Sequence, residues 1–196
     1  MAALRPARRA PSGAAPHVAL LRGINVGGRN RLPMADLAAV FAAEGCAEVR
    51  TYIQSGNVLF LAPAARAGGL AGAVEGAIAA RFGFRVPVVI RTASDLARVA
   101  RGNPFLAAGA DPATLHVAFL AGPPAPARVA ALDPRRSPPD AFAVRGREVY
   151  LHFPNGVARS RITNAWLDAA LRTTSTVRNW RTVLELLARA AAAPGG

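Results

Sequence analysis

Lysine is missing from this sequence altogether: all 24 basic residues in its 196 positions are arginine. That excludes a Schiff-base lysine, the phosphate-loop lysine of Walker-type nucleotide sites and a lysine general base. Cysteine occurs once, at Cys46, so no intramolecular disulfide can form and no thiol cluster can hold zinc. No cofactor or metal is implied, and a reduced, cytoplasmic setting fits. Long apolar runs are absent too. Pro, Gly or Arg breaks every aliphatic stretch well short of the roughly 18 residues that a bilayer span needs, which predicts a soluble chain with no membrane role. Histidine is scarce, no histidine pair has metal spacing, no GxSxG nucleophile elbow occurs, and the 11 acids are scattered. No acid–base or nucleophilic constellation is complete.

What is present is apolar and positively charged. A hydrophobic fraction of 52% is ample for a buried core, and a net charge of +13 points either to a polyanion or phosphate partner or to arginine collected on a solvated face by an Ala/Arg/Gly/Pro-rich composition. The first reading is kept for arginines that sit in loops. Residues 1–16 are basic, lack acids and hold three prolines without an apolar segment of signal-peptide length, and so are expected to form a disordered tail.

The chain repeats itself. HVALL at His17–Leu21 returns as HVAFL at His116–Leu120, and Ile90-Arg91-Thr92 returns as Val177-Arg178-Asn179. After the second pair, Leu96, Val99 and Ala100 match Val183, Leu186 and Leu187 at a constant offset of 87. Each half reads strand, helix, two strands, helix, strand, with one more helix appended. In the first half, strand 18–22 precedes a helix over 34–44, strands 49–53 and 58–61 flank the turn-prone Ser55-Gly56-Asn57, and a helix carrying Leu70, Val74, Ile78 and Phe82 leads to strand 86–90. The fold class expected is α+β: two tandem ferredoxin-like βαββαβ units with predominantly antiparallel sheets, residues 17–101 and 115–193, joined by a linker over 102–114. Adjacent apolar residues in Val18-Ala19-Leu20-Leu21 predict that both faces of the sheet are covered.

With strand order 4-1-3-2, the loop after strand one and the turn between strands two and three share one end of the sheet. That would gather Arg22, Asn25, Gly27, Gly28, Arg29, Asn30, Gln54, Ser55 and Asn57. Glycines there suit an anion-cradling backbone nest beside a helix N-terminus, or else merely shape two tight turns. In the second unit the polar residues gather at the opposite end: His152, Asn155, Arg159, Ser160 and Arg161 after one strand, and Arg178, Asn179 and Trp180 after the last, with Trp180 able to stack on a planar group. The two ends could face one composite cleft. His17 and His116 begin equivalent strands and read as structural, His152 is the one plausible proton carrier, and Asp36, Glu44 and Asp168 read as solvated helix positions.

In combination, LLRGINVGGRNRLPM, TYIQSGNVLF, NPF, LHVAFL, HFPNGVARSRIT and TTSTVRNWRTV resemble the bacterial domain-of-unknown-function 1697 family over most of His17–Ala190. The family often carries lysine where this chain has Arg29, Arg31 and Arg161; charge is kept, amine chemistry is not. The resemblance implies a mostly stand-alone, cytoplasmic bacterial protein without an established activity. From the Arg-, Gly- and Asn-rich loops, the function expected is binding of a phosphate-bearing ligand, whether a nucleotide, a phosphorylated metabolite or a nucleic-acid backbone. The alternatives are a small-molecule enzyme using the Arg/Asn/Ser groups to stabilise negative charge, and a homodimeric interaction protein.

Overall fold

A computed structural model describes residues 13–192. It falls into two compact units: the first runs to Ala93 and includes the chain from Ala188 onward, and the second is Ser94–Leu187. The first contains β1 (Ala14–Leu21), α1 (Met34–Ala43), β2 (Ala47–Tyr52), β3 (Asn57–Pro63), α2 (Ala64–Phe82) and β4 (Val88–Thr92). After α3 (Ala93–Arg101) and the short α4 (Pro104–Ala107), the second continues with β5 (Leu115–Leu120), α5 (Pro126–Ala130), β6 (Ala141–Arg145), β7 (Glu148–His152), α6 (Asn164–Leu171), β8 (Ser175–Asn179) and α7 (Trp180–Ala191).

Each unit holds one four-stranded antiparallel sheet, in the orders β2-β3-β1-β4 and β6-β7-β5-β8. This is the βαββαβ arrangement expected, occurring twice. The duplication extends to single residues. Arg91 lies opposite Val18, and Arg178 lies opposite Val117. Both arginines are buried, and each donates through Nη1 to the carbonyl of the residue before it, Ile90 or Val177, at 2.9 Å.

The expected tail of residues 1–16 lies outside the described residues as far as position 12, but Ala14, Ala15 and Pro16 are strand, opposite Pro63, Ala62 and Leu61. Pro16 is tolerated because β4 joins β1 only from His17, which leaves this end of the strand with a single neighbour and no need for a second N–H donor. The helix expected to close the first unit, α3, groups from Ser94 with the second. There Tyr150 Oη donates to Val99 O, and Arg98 lies beside Glu148 of β7.

Alternation explains the cores. Ala19, Leu21, Val58, Phe60 and Ala62 point to the α1 and α2 side of the first sheet and meet Leu37, Phe41, Val74 and Ile78. Ala118, Leu120, Val149 and Leu151 do the same for α5 and α6 with Leu167 and Leu171. The neighbours on the opposite faces, Val18 and Leu20 in one sheet and Val117 and Phe119 in the other, are fully buried as well. Both faces of each central strand are therefore dry, as the unbroken apolar runs require.

Candidate functional site

The connection from β1 to α1 is a small hairpin in its own right. Asn25 N donates to Asn30 O at 3.2 Å, and Arg29 N donates to Val26 O at 3.1 Å. Gly27 and Gly28 form the intervening turn with φ of 58° and 75°. Two successive positive φ angles belong to the type I′ geometry that matches strand twist, and glycine reaches them without a Cβ penalty. The pair thus forms one of the tight turns weighed for it. Ile24 and Leu32, at 1% and 0% exposure, root the hairpin in the helix-side core. Burial of two such side chains contributes about 3–6 kcal/mol.

Asn25 then ties this hairpin to the turn between β2 and β3. Its Nδ2 donates to Leu32 O at 2.9 Å and to Gln54 O at 3.2 Å, and its Oδ1 accepts from Leu32 N at 2.8 Å. Asn30 Nδ2 donates to Gly23 O at 2.9 Å. Asn57 is fully buried and its Nδ2 donates to Tyr52 O and Ser55 Oγ. The loops therefore meet at one end of the sheet, and all three asparagine amides hold them in shape. Facing solvent are Arg29, Arg31, Gln54 and Ser55, with Arg22 half-buried. Arg29 and Arg31 make no side-chain hydrogen bond or ion pair among the described residues.

A further arginine belongs to this end. Leu21 lies opposite Val88 and Arg22 N donates to Pro87 O, which brings the exposed Arg85 of the α2–β4 connection to the same edge. Strand order alone points to it, since β4 must start where β1 stops. Two exposed aliphatic residues, Val26 at 66% and Ile53 at 51%, carry no such signal, because a hydrophobic residue in a turn reads as a strand end.

The second unit's polar residues behave differently. His152 and Asn179 do end β7 and β8, on either side of β5, beside Leu115 and His116. Arg178, however, is only 9% exposed, donates to Thr176 Oγ1 and Val177 O, and has its pKa pushed down by burial to about 10. Trp180 is 3% exposed and belongs to the core, which replaces the stacking role expected for it. Both helix N-termini are capped from within: Asn179 Oδ1 accepts from Thr182 N, and Thr163 Oγ1 accepts from Trp166 N. A side-chain cap satisfies the donors that an anion would use. By contrast, α1 follows Pro33 and has no side-chain cap. Asn155 and Arg159 are exposed, while Ser160 Oγ accepts from Ile162 N.

The histidines divide as well. His17 stacks on Phe60 with its Nδ1 at 2.8 Å from Ala15 O. His116 meets the Phe153 ring edge-on, and burial lowers its pKa. His152 lies 5.5 Å from the Phe105 ring. Asp168 departs from the solvated role expected: it accepts from both Ser175 N and Ser175 Oγ, fastening α6 to β8. Among the described residues, no group of three or more His, Cys, Asp or Glu could hold a metal ion, and no helix is long and apolar enough to cross a membrane.

The family model described as "Protein of unknown function (DUF1697)" matches residues 15–150. The chain belongs to this family. The match takes in the whole β1–α1 connection and the β2–β3 turn and stops within β7, before His152. Among solved structures, the conserved bacterial protein SP0830 from Streptococcus pneumoniae is similar at a TM-score of 0.64 and 21% identity, covering 90% of this chain and 99% of that one. At that identity the likeness concerns the fold. No curated protein matches the chain.

Proposed function

We propose that the loop end of the first unit binds the phosphate groups of a nucleic-acid backbone. One observation carries the reading: three connections, residues 22–33, 53–56 and 83–87, meet there bearing Arg22, Arg29, Arg31 and Arg85 without one acidic residue. Two acids of the neighbouring helices are already engaged: Asp36 in the first turn of α1 by Arg81, and Glu75 of α2 by the N–H of Val88. Guanidinium forks match phosphate oxygens in pairs, and the uncapped start of α1 adds partial positive charge beside them.

Exposure favours a polymer over a single nucleotide. Arg29, Arg31, Arg85 and the hairpin tips are exposed at the sheet end, a shape suited to an extended partner. The arginines that hold the fold are spent elsewhere: Arg66 donates to Glu44 O, Arg98 pairs with Asp95, and Arg145 donates to Gly102 O. Fluorescence anisotropy with a labelled duplex tests the reading. Arg29→Ala/Arg31→Ala should weaken binding at least tenfold at about 50 mM salt, where phosphate contacts dominate. Equal affinity of wild type and double variant would remove the site.

A further inference from the structure

The phosphate reading leaves two side chains unexplained. Ile53 sits at the tip of the β2–β3 hairpin with φ of 48° and half its surface exposed. A β-branched residue in the left-handed region is a backbone outlier that glycine or asparagine would relieve, and an exposed isoleucine contributes nothing to the core. Val26, the residue before the Gly27-Gly28 turn, is 66% exposed. Asn25 Nδ2 donates to Gln54 O, so the hairpin tips that carry Val26 and Ile53 lie at the same end of the sheet. Two narrow hairpin tips at one end of the sheet therefore expose an aliphatic residue each, on loops that also carry the exposed Arg29, Arg31 and Gln54.

Resting on the phosphate reading, we propose that these tips enter the minor groove of duplex DNA and that Ile53, assisted by Val26, wedges between base pairs. The charge of these loops selects a polyanion. Arginine and glutamine are groups that read the minor groove, and an aliphatic wedge beside them unstacks a base step and bends the duplex. The groove, about 6 Å wide, admits a hairpin tip more readily than a helix. Strain in Ile53 fits this use, since strained residues gather at ligand contacts where an otherwise poor side chain is needed.

The experiment uses the full chain and a duplex of about 30 base pairs with 2-aminopurine at a central TA step, the kind of step that deforms easily, and with dyes at both ends. Wild type should raise the 2-aminopurine fluorescence and shorten the end-to-end distance. Ile53→Asn/Val26→Ser relieves the backbone at position 53 while removing both aliphatic groups. It should stay folded and bind within about threefold, because the phosphate term is unchanged, yet neither unstack nor bend. Wild-type binding without unstacking or bending, or full unstacking by the double variant, overturns the wedge and leaves the phosphate reading standing. Absence of any duplex binding at low salt overturns both, as does capture by anionic phospholipid vesicles in place of the duplex.

Discussion

Asn25 shows how far a residue's role depends on partners remote in the chain. In sequence it stands among arginines and glycines and invites a ligand; in the structure its amide makes three hydrogen bonds, to Leu32 twice and to Gln54. Its φ of 56° is one that asparagine tolerates better than alanine. Asn25→Ala should therefore destabilise the first unit by about 4–5 kcal/mol, at about 1 kcal/mol for each of three hydrogen bonds plus about 1–2 kcal/mol for the backbone, read by urea denaturation. A loss below about 0.5 kcal/mol, the size expected of an ordinary surface change, would contradict the tie. Cys46 makes a second residue-scale case. Burial pushes its thiol up to about 11 from 9.0. In that window the unfolded chain has released the proton and the folded chain has kept it, so stability falls as pH rises from 9 to 11, by at most about 3 kcal/mol. Comparing the pH dependence of unfolding in wild type and Cys46→Ala checks the slope: the variant should lose that part of it. Neither role was legible beforehand, because one rests on backbone carbonyls from other segments and the other on burial.

Elements were more legible than residues, since apolar periodicity is itself the record of which side faces the core. The strands, the paired helices and their order follow from it. The departures have local causes. Val86 and Pro87 stay outside β4, which begins at Val88, where Glu75 Oε1 accepts from the strand's first N–H. α6 starts at Asn164 because Thr163 caps it. Within the expected linker, Asn103 Oδ1 accepts from Phe105 N and starts the short α4. The turn glycines offer a test at this scale. Gly56 has φ of 76°, and a Cβ there would lie 2.8 Å from Leu21 Cβ, whereas a Cβ on Gly28 at φ of 75° meets nothing within 4 Å. Gly28→Ala should cost about 1–2 kcal/mol, the backbone term alone. Gly56→Ala should cost about 1–3 kcal/mol more, because the β1 backbone must shift. Equal midpoints in a thermal melt would mean that the close approach of Leu21 to the hairpin is unimportant.

For the whole molecule the open question is whether +13 is a site or a background. A chain that collects arginine through its composition would attract polyanions weakly from every side, and that attraction would also depend on salt. The two cases separate through counterion release. A localised site gives log K against log salt a slope close to 0.9 per phosphate contacted, so the four arginines at the loop end set a slope of about −3.6 and Arg29→Ala/Arg31→Ala reduces it to about −1.8. Arg128 and Arg135 are equally exposed but lie in the second unit, around α5 and the segment after it. Arg128→Ala/Arg135→Ala removes the same net charge, yet a localised site keeps its slope and affinity within about twofold of wild type, because neither residue belongs to the three connections that form it and the phosphate contacts counted by the slope are unchanged. If the two double variants weaken binding equally, the charge is compositional and the loop end loses its distinction. If only the first does, the arginines there act together, and the asparagines that shape the loops have a functional reason to be where they are.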